Sequence, residues 1–223
     1  MVRFAVNVDR LIFGGSFDPP HRGHLAIIEW VFAQRLAPAL DLIPAAVSPF
    51  KQDQPPTDGA ARRKLLEVAC EDLLVELRER GQSELAERIS QNVRLLTLEL
   101  DRPGPSYSAD TCATLRAEFP GQTLGLLIGS DSVHELHLWT RIADILAQHP
   151  VLIFRRPGDD TARIEQRILY LSAEFTGAQL RLLDNPLVDC SSTDSRRQIA
   201  EGARSACLSP GVAALIAERG LYR

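Results

Sequence analysis

The chain has 223 residues, 45% of them apolar and 24% charged, which suits one moderately large globular domain. Its formal net charge of −4 excludes a global basic field for nucleic acid, so any phosphate site must be local. Cys70, Cys112, Cys190 and Cys207 are widely spaced and form no CxxC pair, which argues against a zinc site or a disulfide framework and fits a reducing cytosol.

Residues 1–10 are too short and polar for a signal peptide, and no apolar run is long enough to span a bilayer. Residues 10–13 read as the first strand, with residues 3–8 extending it or pairing separately. The turn Gly14-Gly15-Ser16-Phe17-Asp18-Pro19-Pro20-His21-Arg22-Gly23-His24 follows, and then an apolar helix to about Leu36, stopped by Pro38. A strand-to-helix turn is where open α/β sheets bind anions. Gly14 and Gly15 remove the Cβ from a ligand's path, and the helix start offers free N–H groups. His21 and His24, three apart, can face one side of the first helical turn and donate to phosphate oxygens. The ordinary alternative is that one histidine caps the helix and the other packs.

Residues 40–44 form a second strand, so strand, helix and strand make a parallel βαβ unit. Residues 45–59 are a proline-rich loop. Asp58 is the N-cap expected for a helix with the apolar stripe Leu65, Leu66, Val68, Ala69, Leu73, Leu74 and Leu77. Residues 76–92 read as a charged helical insertion on the surface, and 93–100 as a third strand. Ser106 is expected to cap the next helix, with Asp110 near the capping-box position. Residues 123–128 are a central strand ending in Gly129-Ser130-Asp131, which places Asp131 in a cleft. A strand at 150–154 runs into Arg155-Arg156, and 160–173 is an amphipathic helix. Residues 180–183 and 187–188 read as a strand broken at Asn185-Pro186. Cys190-Ser191-Ser192-Thr193-Asp194-Ser195-Arg196 opens a helix whose hydroxyls, N–H groups and guanidinium suit phosphate. Its ordinary reading is a Ser/Thr helix cap.

The turn at 14–25 resembles the HxGH signature of the nucleotidyltransferase superfamily, and its wording most resembles bacterial nicotinate-nucleotide adenylyltransferases. The likeness continues down the chain. Pro49-Phe50-Lys51 stands where the family has Pro-His-Lys or Pro-His-Arg. Pro105-Ser106-Tyr107-Ser108 is similar to its PSYT segment. Gly129-Ser130-Asp131 matches GxD, Leu138-Trp139 matches LxxW, Arg156-Pro157-Gly158 matches RPG, and Ser191-Ser192-Thr193 with Arg196 matches ISSTxxR. Phe50, Cys190 and Ser195 replace usual family residues.

The resemblance implies a Rossmann-like, doubly wound and mainly parallel sheet over 1–223, with a small helical part at 189–223. It implies adenylyl transfer from ATP to nicotinate mononucleotide, with His21, His24 and Arg196 catalytic. Gly14, Gly15, Ser16, Phe17, Ser191, Ser192 and Thr193 would join them around ATP. Lys51, Arg62, Tyr107, Ser108, Asp131, Trp139 and Arg156 would bind the mononucleotide. Lys51 and Arg62 also read as solvated cations, and Trp139 as a core residue. Mg²⁺ would enter with ATP, and nucleic acid and membrane are not expected partners. A homo-oligomer is left open, and the location expected is cytoplasmic. Two other readings stand beside this one: transfer to nicotinamide mononucleotide or another phosphorylated acceptor, and a non-catalytic nucleotide sensor.

Overall fold

In the computed structural model, the described residues are 7–47, 49 and 56–223. The strands are β1 (Arg10–Gly15), β2 (Ala39–Pro44), β3 (Val93–Leu95), β4 (Leu124–Gly129), β5 (Val151–Phe154) and β6 (Leu180–Leu182). They form one sheet in the order β3-β2-β1-β4-β5-β6, and every neighbouring pair is parallel among the described residues. The strand order reverses between β1 and β4, which is the crevice where such sheets take ligands.

Period-two alternation explains the sheet. Leu11, Phe13, Leu40, Leu42, Leu127 and Leu152 point to one face, and Ile12, Ile43, Leu126, Ile128, Val151 and Ile153 to the other. Helices cover both faces, so the strands read as continuous apolar runs. On the first face lie α1 (Arg22–Ala33), α2 (Gly59–Glu79), α3 (Ser83–Asn92) and, near the C-terminus, a helix at Pro210–Arg219. On the second lie α4 (Ser108–Glu118), α5 (Ser130–Glu135), α6 (Ile142–Gln148) and α7 (Thr161–Glu174). The last two helices are α8 (Ser192–Ala200) and α9, the Pro210–Arg219 helix.

Several elements differ from their sequence reading. The first helix ends at Ala33, and Arg35 takes a left-handed φ of 52° before Pro38 is reached. The expected 76–92 insertion is the end of α2, a turn at Gly81 and then α3, whose Ala86 and Ile89 are buried in the core. The third strand is only Val93–Leu95, and Leu96 and Leu98 instead pack as a loop against the second-face core. Residues 187–188 are not a strand: the Asn185 side chain accepts from the Arg155 N–H at 2.7 Å and donates to its carbonyl at 3.0 Å. One amide thus replaces the ladder partner. Cys190 and Cys207 are joined by a disulfide, with Cα atoms 5.4 Å apart, contrary to the expectation of unpaired thiols. They bracket α8, and the chain's return over that helix is invisible in their spacing.

Asp41 is fully buried on β2. Arg10 reaches it at 2.8 Å and Arg94 at 2.8 and 3.0 Å, from the strands on either side. Both guanidinium groups also lie over the Phe119 ring, 4.1 and 4.7 Å from its centroid. Asp41→Ala leaves Arg10 without its carboxylate and Arg94 with only Glu118, at 2.8 Å, and unfolding in urea is expected to show a loss of about 3 kcal/mol. A loss below about 1 kcal/mol, the size of an exposed pair, would contradict this account.

Candidate active site

The turn between β1 and α1 crosses the sheet's crevice. Open space lies above Gly14, where an added Cβ meets nothing within 4 Å. Phe17 turns inward with φ 47° and packs its ring against Phe13 and His24, at centroid distances of 5.4 and 4.9 Å. Gly23 has no room for a side chain, since a Cβ there would lie 2.9 Å from Cε1 of His21. The glycine between the two histidines therefore lets the His21 ring lie over the backbone.

His21 and His24 stack with centroids 3.7 Å apart. The His21 backbone N–H donates to Nδ1 of His24 at 3.2 Å. That bond makes Nδ1 an acceptor and leaves the His24 proton on Nε2, as a donor. Both rings are held neutral. Burial, and then the Arg156 charge, push His21 down to about 4. Burial, His21 and Arg156 together hold His24 well below the usual imidazole value. In the free protein the pair is thus a set of neutral hydrogen-bond donors. Between pH 6.5 and about 4 the unfolded chain binds protons that folded His21 refuses, so stability falls as pH drops through that window. Imidazole nitrogen NMR of the free protein should find both rings still neutral at pH 5.5. A midpoint near 6.5 for either ring would refute the neutral-donor account.

The second signature docks onto the first. Nη1 of Arg196 donates to the Asp18 carbonyl at 2.5 Å, and Oγ of Ser192 to the Pro19 carbonyl at 2.8 Å. Nη2 of Arg196 is 3.5 Å from Oγ1 of Thr193. The first turn of α8 and the histidine turn therefore share one edge of the crevice. The Ser191 hydroxyl is occupied as the N-cap, accepting from the Asp194 N–H at 3.0 Å.

From the other side of the switch point, Arg156 pairs with Asp131 at 3.3 Å and acts electrostatically on both histidines. Asp131 is more than half exposed, not enclosed in a cleft, and Arg156 supplies the counter-charge. Tyr107 is the N-cap residue of α4 and Ser108 its first residue. Ser106 does not cap that helix. Its hydroxyl accepts from the Ala46 N–H at 2.9 Å, and its own N–H donates to the Val47 carbonyl at 2.9 Å. Asp110 pairs with Arg141. Trp139 is half-buried against the second-face core. Lys51 lies outside the described residues.

Arg62 is not a surface cation. It is 1% exposed. Nε donates to the Thr57 carbonyl at 2.7 Å, Nη1 to the Ser16 and Ala45 carbonyls at 2.7 Å each, and Nη2 to Ala46 at 3.3 Å. Backbone acceptors have taken the fork expected to reach a substrate phosphate. Two residues given no role in the sequence reading join it: Asp18, whose carboxylate is buried, and Tyr222, whose hydroxyl donates to Asp18 Oδ1 at 2.7 Å. They are 204 residues apart, so no local pattern links them. Ser130 Oγ, buried at the end of β4, has no partner among the described residues.

The donors gathered here are neutral imidazoles and guanidinium groups, and no cluster of three metal-ligating side chains occurs among the described residues. That set fits a polyanion better than a resident cation. Among the described residues no helix is long and apolar enough to cross a membrane.

Residues 12–198 match the cytidylyltransferase-like family. Curated relatives include a probable nicotinate-nucleotide adenylyltransferase of Symbiobacterium thermophilum, 32% identical over 95% of this chain and 93% of its own. Another from Exiguobacterium sibiricum is 32% identical over 95% of this chain and 97% of its own. Nicotinic acid mononucleotide adenylyltransferase of Plasmodium falciparum, solved with NaAD, superposes with a TM-score of 0.73 over 97% of this chain and 98% of that one. At 15% identity that likeness speaks for the fold. The chain belongs to the cytidylyltransferase-like nucleotidyltransferases and, among them, to the nicotinate-nucleotide adenylyltransferases.

Proposed function

We propose that this enzyme transfers the adenylyl group of ATP to nicotinate mononucleotide, giving nicotinate adenine dinucleotide and pyrophosphate. One observation carries the reading: Arg196, from the far end of the chain, lies against the carbonyl of Asp18 in the histidine turn. A triphosphate in the crevice would meet both signatures at once.

The acceptor's phosphate is already ionised and needs no general base. One of its oxygens attacks the α-phosphorus, the bond from that phosphorus to the bridging oxygen breaks, and pyrophosphate leaves with the electron pair. Catalysis is then positioning and charge stabilisation. His24 donates from Nε2 to the transferring phosphoryl group, beside His21. Arg196 and the N–H groups of Ser192 and Thr193 hold the β- and γ-phosphates. Gly14, Gly15 and Ser16 line the path between substrates, with Phe17 beneath. Ser191 contributes as the cap of α8. Arg156, which faces the histidines as well as Asp131, serves the reacting phosphates from the acceptor side. Tyr107 and Ser108 bind the pyridine carboxylate at the start of α4, Trp139 stacks on the ring, and Lys51 meets the mononucleotide phosphate. Mg²⁺ bound to ATP, held by its oxygens and water, would lower the charge on those oxygens. Because the reaction draws on ATP, we place the enzyme in the cytoplasm.

The test is pyrophosphate release from ATP with each of three acceptors: nicotinate mononucleotide, nicotinamide mononucleotide and phosphopantetheine. Turnover with the acid, and a product of dinucleotide mass, supports the reading. Preference for either other acceptor reassigns the substrate, and no release with any refutes catalysis.

A further inference from the structure

Arg62 and Asp18 lie between the two ends of the proposed site, and neither faces a substrate. Arg62 heads the largest fully buried side chains of the molecule. Its fork ties Ser16, in the histidine turn, to Ala45 and Ala46, in the segment after β2. Ala46 and Val47 are in turn bonded to Ser106, the residue before the cap of α4. Thr57 links the fork to Asp18: its carbonyl accepts from Arg62 Nε at 2.7 Å, and its N–H donates to Asp18 Oδ2 at 3.1 Å. The Asp18 carbonyl receives Arg196, and its carboxylate receives Tyr222. Tyr222 adopts a left-handed φ of 64°, uncommon for a side chain of its size, to make that bond.

We propose that Arg62 and Asp18 are positioning residues that set the spacing between the triphosphate side and the pyridine side of the site. The network runs without a break from Arg196 through Asp18, Thr57 and Arg62 to Ala46 and Ser106. In-line transfer between two bound polyanions depends on their separation, and a misplacement of about 1 Å costs on the order of 100-fold. A planar guanidinium holding four carbonyls sets such a spacing, and an ammonium, lacking the fork, cannot. Asp18 favours the charged form of the buried guanidinium. Among the groups favouring its charged form Asp18 comes first, ahead of Tyr222 and Asp58, against the effect of burial.

This inference rests on the proposed substrates, and the test separates the two. Arg62→Lys is compared with wild type by calorimetric titration with ATP, with nicotinate mononucleotide and with the dinucleotide product. Each half-site keeps its own contacts, so affinities for the two single substrates should stay within about 3-fold. The dinucleotide spans both halves, so its affinity should fall about 10-fold or more and kcat about 100-fold, with both KM values little changed. Tyr222→Phe, which removes one hydroxyl, should shift dinucleotide affinity and kcat the same way by about 3-fold, and it carries the test if Arg62→Lys does not fold. Equal losses for all three ligands would make the network merely structural and overturn the proposal. So would unchanged dinucleotide affinity. A wild-type enzyme that binds ATP but not the dinucleotide would overturn the substrate reading and this inference with it.

Discussion

Replacing His24 by alanine is expected to lower kcat by about 100- to 1,000-fold, the usual effect of losing one donor aimed at transition-state charge. KM for either substrate should change little. The reason lies in the ring's surroundings. Its Nδ1 is engaged by the His21 N–H, so Nε2 is the donor, and burial keeps the ring neutral. A neutral donor gains most where charge develops, at the α-phosphate as the bridging bond breaks. The same substitution removes a cap contact at the start of α1, at a cost of about 1 kcal/mol. Turnover must therefore be read well below the variant's melting temperature. His24→Gln places an amide N–H near the Nε2 position and should recover about 10-fold of the loss. Near-normal turnover of His24→Ala would remove the histidine from the mechanism. Equal loss in the alanine and glutamine variants would instead mark a packing role.

Local patterns made part of this legible in advance. The histidine turn, the Ser-Ser-Thr helix start and the buried strands each declare themselves within a dozen residues, through spacing and period. Arg62 shows the limit. Its place in the first turn of α2 suits a surface cation and a buried one equally, and only the carbonyls of Ser16, Ala45, Ala46 and Thr57, converging from three other segments, decide between them. Ser106 reads as a cap because serine before a helix usually is one, yet Ala46 competes for its hydroxyl from 60 residues away. The Cys190–Cys207 bond and the Tyr222–Asp18 contact depend on how α8 and α9 fold back. The leucines after β3 fit a longer strand, but among the described residues only the Leu96 N–H still reaches β2, at the Leu42 carbonyl, and Leu96 and Leu98 pack part-buried against the second-face core.

Arg196→Ala is expected to reduce kcat/KM for ATP by about 1,000-fold, equivalent to about 4 kcal/mol of transition-state stabilisation. Two donors of the fork are held, one by the Asp18 carbonyl and one by Thr193 Oγ1, which fixes its plane. A guanidinium has five N–H groups, so donors remain for a phosphate. With the free-enzyme histidines neutral, Arg196 and Arg156 are the cations proposed to meet the leaving pyrophosphate's charge. Arg196→Lys keeps the charge and loses the bidentate geometry, so it should retain about a tenth of wild-type kcat/KM. The KM for nicotinate mononucleotide should stay within about 2-fold in both variants, because the triphosphate end of the crevice is the part disturbed. A loss confined to the mononucleotide would place Arg196 at the wrong end of the site. Wild-type kinetics in Arg196→Ala would mean that the C-terminal signature only fastens α8 to the histidine turn, leaving Arg156 and the turn itself to hold the triphosphate.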